Sequence, residues 1–284
     1  MQKVTLSFTR MRNIISAATC MILKQTGRRS GQICKPEKAG LAARKREETK
    51  LENGTRQNSR AWEKVYQTTD FGNTYPTDGL VSLYYHFIRQ QLKPEGRPVK
   101  VLDFGCSHGA NAKFFKALGF DVYGVDIAEE AIDYCIREQG FDRSRFAACD
   151  ILQENNFICE KFGMFDLVIV SECLYYFSKA DCERILQEFY RCMNDQAVIY
   201  ANMHTWNHHL YREYQNTRID EDGLVQIPAS GLADLPLGVR IVADKQEMRK
   251  IFGVFEEITT VRSVLEMESE NETLHFIGKK GTQK

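Results

Sequence analysis

Three acidic residues, Asp103, Asp126 and Asp150, each lie at or next to the end of a short aliphatic run. A carboxylate can accept hydrogen bonds from the hydroxyls of a ribose or from the amino group of a nucleobase, and it attracts a cationic ligand group. In a parallel sheet the carboxyl ends of neighbouring strands meet at one edge, where ligands bind. The three acids therefore predict a site for a positively charged nucleoside, although Asp103 could instead cap the turn that follows it.

A glycine-containing turn follows the first of these runs, in the segment VLDFGCSHGAN at 101–111. Gly105 and Gly109 allow a tight turn and a close approach of the backbone to a ligand. A dinucleotide-binding turn would have the pattern GxGxxG and would direct backbone amides at a pyrophosphate. Here Asp103 comes just before the first glycine and would repel a pyrophosphate. The turn therefore disfavours an NAD-dependent oxidoreductase and favours S-adenosylmethionine, which carries an ammonium, a ribose and an adenine.

The sequence around these residues alternates between short aliphatic segments and segments in which apolar residues have helical spacing. Near-continuous aliphatic strands separated by helices are typical of a parallel sheet covered on both faces. Two last strands, at 255–264 and 273–281, are close enough in sequence to form a hairpin. We therefore predict an α/β fold with a doubly wound, mostly parallel seven-stranded sheet and an antiparallel C-terminal edge hairpin. The other predicted strands are 99–104, 121–127, 145–151, 165–172 and 196–203, and the predicted helices are 78–92, 110–118, 128–140 and 181–193.

Four segments, in this order, resemble motifs of the class I (Rossmann-like) S-adenosylmethionine-dependent methyltransferases. VLDFGCSHGA resembles the glycine motif of that family, with Ser107 where a third glycine is usual. YGVDIAEEAI and ACDI resemble the ribose and adenine motifs, and FDLVIVSECLYYF resembles the fourth strand. The segment 62–81 resembles the lead-in helix of the small-molecule members. The resemblance covers roughly 62–284 and implies S-adenosylmethionine as cofactor, with these cofactor-binding residues: Asp103, Gly105, Cys106, Gly109, Asp126, Ile127, Asp150, Ile151, Ser171 and Tyr75.

Side chains after the fourth and fifth predicted strands are the candidates for the methyl-transfer pocket. Glu172, Cys173, Tyr175 and Tyr176 follow the fourth strand, and His204 follows the fifth. If the acceptor is a hydroxyl, His204 is the preferred general base because histidine titrates near neutral pH, and Glu172 is the second choice. The predicted function is methyl transfer to a small molecule, for example a sugar-like metabolite. The alternative is an S-adenosylmethionine-binding module without catalysis that acts as an interaction protein.

Aromatic residues before the first strand could have either of two roles. Trp62, Tyr66, Phe71 and Tyr75 could close over the methionine part of the cofactor, or they could be core residues of a docking helix. In either role, the segment that carries these aromatic residues packs against the sheet.

No metal site is expected from the sequence. His204 and His208 have i, i+4 spacing, but a zinc or iron site normally needs another ligand. The nine cysteines include no CxxC pair. Their odd number and their position within apolar segments are typical of reduced thiols, which predicts a cytoplasmic protein.

The charge of the chain is balanced overall, with 38 basic and 38 acidic residues, but it is unevenly distributed. Residues 1–60 hold 14 Lys and Arg against four acids, so 61–284 are acidic on balance. We interpret 1–60 as a basic, disordered segment, within which 1–36 could be an organelle-targeting peptide, and 61–284 as the methyltransferase domain with a cap insertion at 204–245. The acidic domain argues against nucleic acid as a partner. No apolar run approaches the ~20 residues of a membrane span.

Overall fold

The protein is described by a computed structural model that covers residues 54–68, 75–93, 96–209, 211–214, 219–220, 223–227, 237–266 and 270–282. The predicted targeting segment 1–36 lies outside these residues, as do Phe71 and most of the predicted basic segment. Within the described ranges no helix is long and apolar enough to cross a membrane.

The described residues form seven α-helices and nine strands. The helices are α1 (Gly54–Thr68), α2 (Asp78–Leu83), α3 (Ala110–Ala117), α4 (Glu129–Arg137), α5 (Phe157–Phe162), α6 (Lys179–Arg191) and α7 (Lys245–Ile251). The strands are β1 (Lys100–Phe104), β2 (Asp121–Asp126), β3 (Phe146–Ala148), β4 (Phe165–Val170), β5 (Met193–His204), β6 (Val225–Ile227), β7 (Leu237–Val239), β8 (Glu256–Glu266) and β9 (Glu270–Lys279).

Seven of the strands form one sheet in the order β3-β2-β1-β4-β5-β9-β8. The strands β1 to β5 pair in parallel, whereas β9 pairs antiparallel with both β5 and β8. This confirms the predicted fold class, including the antiparallel C-terminal hairpin. The chain runs from β1 outward to β3 and then returns to the other side of β1 with β4, so a ligand-binding crevice is expected where the direction reverses.

Both faces of the sheet are buried. Leu102 and Val168 pack on one face with residues of α5, α6 and α7. Their neighbours Val101 and Leu167 pack on the other face with residues of α2, α3 and α4. Because successive side chains point to opposite faces, a strand buried on both sides needs an unbroken aliphatic run, which is the pattern seen in the sequence.

Several predicted elements end earlier than their apolar patterns, among them one helix and one strand next to the site. The helix predicted over 78–92 is α-helical only to Leu83 and continues as a π-helical turn over Tyr84–Ile88. The strand predicted over 145–151 ends at Ala148. Asp150 then accepts a hydrogen bond from the amide of Leu152 at 3.0 Å, which forms a turn in place of further strand pairing.

The helix α1 begins at Gly54, seven residues before the predicted start of the domain at 61. Asn58 in this helix is only 2% exposed. Its side-chain amide donates to the carbonyls of Tyr176 and Gly238, at 2.6 and 2.7 Å, and its carbonyl accepts from the amide of Gly238 at 2.8 Å. These bonds attach α1 to β7, so a helix that begins before the predicted boundary packs on the fold.

The predicted cap at 204–245 contains a small antiparallel sheet in its described part. It consists of β6 and β7, in which Val225 pairs with Val239. Leu224 and Val225 are buried, and a parallel bridge between Thr205 and Val242 joins the two ends of the segment. This small sheet provides the surface on which α1 docks.

Candidate functional site

A cavity of about 290 Å³ lies at the carboxyl ends of β1 to β4. Its wall on the sheet side comes from residues in the last positions of these strands and directly after them, and α1 contributes Trp62 and Tyr66. The cavity therefore occupies the crevice expected where the strand order reverses. Seven of the predicted cofactor-binding residues line it, namely Gly105, Cys106, Asp126, Ile127, Asp150, Ile151 and Ser171.

The turn after β1 needs glycine at Gly105. This residue has a left-handed backbone with φ of +69°, and a Cβ atom there would lie 2.5 Å from Sγ of Cys173. Ser107 also has a positive φ, of +49°, although it has a side chain. Gly109, with φ of +76°, precedes α3 and does not line the cavity. At Gly105 the turn thus brings backbone close to the cavity where a side chain would not fit.

Asp103 is buried near this turn, with 1% of its surface exposed. Neither carboxylate oxygen has a hydrogen-bond partner among the described residues. Burial raises the pKa of this carboxyl group to about 7, and the nearby amide of Ala112 opposes the rise. Asp103 does not itself line the cavity, although Phe104 and Gly105 do.

Asp126 lies at the end of β2 and faces the cavity. Its carboxylate accepts hydrogen bonds from the amides of Ser107 and Ala128, at 2.9 and 3.1 Å. Burial has the larger effect and raises the pKa of Asp126, while these backbone hydrogen bonds offset part of the rise. Each oxygen keeps a further lone pair, so the group can still accept bonds from ribose hydroxyls.

Asp150 and Ile151 follow β3 and form the next part of the wall. Asp150 also accepts from the side-chain amide of Gln153 at 2.8 Å, which orients its carboxylate. Ile151 is buried, with 7% exposed, and provides an apolar surface beside the acid. A hydrogen-bond acceptor beside an apolar surface is suited to an adenine ring.

These observations support a fit to S-adenosylmethionine. The carboxylate of Asp103 is buried without a partner, and the backbone at Gly105 leaves a space that a Cβ would fill. An unpartnered buried carboxylate is costly unless a donor or a positive charge is supplied, and the methionine ammonium of the cofactor would supply both. Asp126 would then bind the ribose, and Asp150 with Ile151 would bind the adenine.

Tyr75, by contrast, does not line the cavity in the structure. Its side chain is 77% exposed. Two residues later, the amide of Thr77 donates to Oδ1 of Asn111 at 3.1 Å, and the hydroxyls of Thr77 and Ser171 lie 3.1 Å apart. These bonds place Thr77, rather than Tyr75, against the end of β4. Neither Thr77 nor Asn111 has a sequence signal that would have identified it.

Glu172 is the first residue after Ser171 and lines the cavity, with 40% of its side chain exposed. Its backbone is left-handed, with φ of +54°, and its amide donates to Oδ1 of Asn202 at 2.7 Å. A side chain in this conformation costs about 1–3 kcal/mol, which the surrounding bonds must offset. Non-glycine residues with such backbones are common at functional sites.

Three donors hold the carboxylate of Glu172. Oε2 accepts from the hydroxyl of Tyr175 at 2.9 Å and lies 2.8 Å from Nε2 of His204, and Oε1 accepts from the side-chain amide of Asn202. Burial acts to raise the pKa of Glu172, but His204 and the hydrogen bonds outweigh it and lower the pKa to about 2. The carboxylate is therefore charged at neutral pH.

The structure places His204 behind Glu172 and not on the cavity wall. The residue is 4% exposed, and its Nδ1 atom lies 3.1 Å from the hydroxyl of Tyr211. Its ring stacks on that of His208 with centroids 4.0 Å apart. Burial and the neighbouring His204 lower the pKa of His208 to about 3. Within the described part of the chain, no three His, Cys, Asp or Glu residues are grouped so as to hold a metal ion.

Aromatic side chains cover the cavity opposite the sheet. Trp62 contacts Tyr176 edge to face, with ring centroids 5.2 Å apart, and Tyr66 contacts His108 at 5.6 Å. Trp62, Tyr66 and Tyr176 all line the cavity, which is the position that either predicted role of Trp62 and Tyr66 requires. Asn58, which also lines it, was not identified from the sequence because it falls in a polar segment interpreted as disordered.

The chain matches a known family over its central part. Residues 80–230 match the family model described as a methyltransferase domain. Three uncharacterized methyltransferases of Schizosaccharomyces pombe are 31% identical to the chain over 118 residues, which are 40% of this chain and 79% of each relative.

Solved S-adenosylmethionine-dependent methyltransferases have a similar fold. The enzyme of Methanosarcina mazei aligns with a TM-score of 0.56 and 18% identity, over 69% of this chain and 97% of that one. The N-methyltransferase NodS of Bradyrhizobium japonicum, in complex with S-adenosylhomocysteine, aligns with a TM-score of 0.52 and 16% identity, over 79% and 100% of the two chains. At these identities the likeness shows the fold alone.

Proposed function

Because the chain belongs to the methyltransferase domain family and is an S-adenosylmethionine-dependent enzyme, we propose that it transfers the methyl group to a small-molecule acceptor bound beside Glu172. The shape of the cavity carries this proposal. Trp62, Tyr66 and Tyr176 cover the cavity on the side opposite the sheet, which supports an acceptor small enough to enter beneath these side chains over a macromolecular surface. The excess of acids in 61–284 supports the same choice against nucleic acid.

The residues of the chain have two tasks in this reaction, alignment and exclusion of water. S-adenosylmethionine supplies an electrophilic methyl group on a sulfonium sulfur. Asp126 and Asp150 orient the nucleoside from the ends of β2 and β3, while Asp103 and Gly105 accommodate the methionine part. Trp62 and Tyr66 shield the reacting atoms from solvent. Glu172 then lies on the acceptor side, after β4.

The proposal is tested by calorimetry with S-adenosylmethionine and by transfer of a ¹³C-labelled methyl group to a metabolite extract. We expect binding of the cofactor and at least one labelled small molecule. Binding with no labelled product would contradict the proposal and would favour a cofactor-binding module that acts through protein interactions.

A further inference from the structure

The acceptor side of the cavity carries a fixed negative charge. The cavity-lining residues that the structure describes include three carboxylates and no Lys or Arg. Asp126 and Asp150 lie at the nucleoside end, after β2 and β3. Glu172 follows β4 and precedes Cys173, whose Sγ would lie 2.5 Å from a Cβ at Gly105. It is therefore the carboxylate that a bound acceptor would meet.

The hydrogen bonds to Glu172 keep this charge in place and make the group a weak base. Electrostatic attraction by His204 is the largest effect that favours the ionised form, and the hydrogen bonds from His204, Tyr175 and Asn202 add to it. A hydroxyl acceptor needs a base whose pKa lies near the working pH. Glu172, with its pKa lowered to about 2, does not meet that requirement.

The other titratable groups on this side of the cavity offer no such base. Burial raises the pKa of the Cys173 thiol and of the Tyr66 and Tyr176 hydroxyls, so all three are neutral near pH 7. The two ring nitrogens of His204 are occupied by Glu172 and Tyr211, and the ring does not line the cavity. A hydroxyl or an acidic carbon would thus meet no proton acceptor among these side chains.

The fixed charge also selects among acceptors by their own charge. A thiolate, a carboxylate or a phosphate would be repelled by Glu172. An amine needs no base on the protein once it is neutral, and its N–H groups can donate to the carboxylate. Its protonated form is attracted into the cavity by the same group.

We propose that the acceptor is a small molecule bearing an amine and that the methyl group is transferred to its nitrogen, with Glu172 as the group that binds the amine. This inference rests on the proposed small-molecule methyl transfer. The amine first releases its ammonium proton to water and donates an N–H to Glu172. Its lone pair then forms the N–C bond while the electron pair of the S–C bond stays on sulfur, which leaves S-adenosylhomocysteine and a methylated ammonium.

The labelled products show which atom is methylated. After reaction with ¹³C-methyl-labelled cofactor and a metabolite extract, the carbon chemical shift of the transferred methyl distinguishes nitrogen, oxygen, sulfur and carbon. We expect N-methyl products. An O-, S- or C-methyl product overturns the amine inference but leaves small-molecule methyl transfer intact, whereas the absence of any product contradicts both.

A matched pair of variants tests the role of Glu172. We expect Glu172→Gln to lower kcat/KM for the amine acceptor by about tenfold or more, the scale of a hydrogen bond to a charged group, without changing the affinity for S-adenosylmethionine. Glu256→Gln is the control. The side chain of Glu256 on β8 is 58% exposed and forms an ion pair with Lys279 on β9. Unchanged turnover in Glu172→Gln would overturn the inference.

Wild-type protein gives an independent measurement, in case the variant fails to fold. Benzylamine and benzyl alcohol have nearly the same shape and differ in charge near pH 7. With S-adenosylmethionine present, we expect benzylamine to inhibit methyl transfer more strongly than benzyl alcohol. Inhibition by benzylamine that does not exceed that by benzyl alcohol would overturn the inference.

Discussion

Left-handed backbone occurs at the residues that shape the site. Gly105, Ser107 and Glu172 all have positive φ values and all line the cavity. At Gly105 the conformation is combined with close contact to Cys173, so a side chain is excluded for two separate reasons. At Ser107 and Glu172 a side chain is present, and the bonds to Asp126 and Asn202 hold the backbone in place.

Gly105→Ala is predicted to lower the affinity for S-adenosylmethionine by about tenfold or more, because the new Cβ would lie 2.5 Å from Sγ of Cys173 and would displace the turn. Gly119→Ala is the control. Gly119 also has a positive φ, of +82°, but a Cβ there would meet nothing within 4 Å. The Gly119→Ala variant should lose about 1–2 kcal/mol of stability and keep its affinity for S-adenosylmethionine. Equal affinities in the two variants, measured by calorimetry, would argue against the turn as a cofactor contact.

At the scale of the elements, α1 is the part of the fold that closes the cavity. It carries Trp62 and Tyr66 into the cavity wall and is fastened to β7 through Asn58. Among the residues 58–66 of this helix, whose burial the structure describes, the only other buried ones are Ala61 and Val65. Its position therefore depends strongly on the hydrogen bonds of Asn58.

Asn58→Ala is predicted to weaken cofactor binding while the central sheet stays folded. The change leaves the carbonyls of Tyr176 and Gly238 and the amide of Gly238 without their partner, at about 1–3 kcal/mol for each buried group. Glu63→Ala is the control, because Glu63 is exposed on the same helix. Calorimetry measures the affinity for the cofactor, and Trp62 fluorescence reports whether α1 still closes the cavity. An Asn58→Ala protein that binds as tightly as Glu63→Ala would show that α1 docks by other contacts.

For the whole molecule, stability depends on groups that are buried in the neutral form. His275 on β9 is 2% exposed and is bonded to Tyr200 and Ser263. Burial lowers its pKa from 6.5 to about 4, with the charge of Glu172 opposing the shift. Between these values the unfolded chain binds a proton that the folded chain does not, so His275 lowers stability as the pH falls. Asp103 has the opposite effect on stability. Burial raises its pKa from 3.8 to about 7, so between these values the folded chain binds a proton that the unfolded chain does not, and stability rises as the pH falls.

His275→Gln is therefore predicted to reduce the loss of stability between pH 7 and pH 5. The wild type should lose ~2 kcal/mol more than the variant over this interval, because the variant lacks this titrating group. His86→Gln is the control, since His86 is exposed on the surface. Denaturant unfolding at each pH measures the difference. Parallel pH profiles for wild type and His275→Gln would exclude His275 as the source.

The sequence by itself determined the fold class and the position, at one edge of the sheet, of the residues predicted to bind the nucleoside. Both depend on residues close together in the chain, namely aliphatic runs of strand length, the glycine turn, and acids that follow the runs. Topology then brings strand ends together without further information. For this reason Asp126, Asp150 and Gly105 lie where they were expected.

Only the tertiary structure decided how the cavity is closed and what Glu172 can do. The bonds that attach Asn58 to Gly238 join residues 180 positions apart, and those between Glu172 and Asn202 join residues 30 apart. No local pattern encodes such pairs, because they form when packing excludes water and leaves each buried polar group a specific partner. The same packing turned Tyr75 outward and placed His204 behind Glu172.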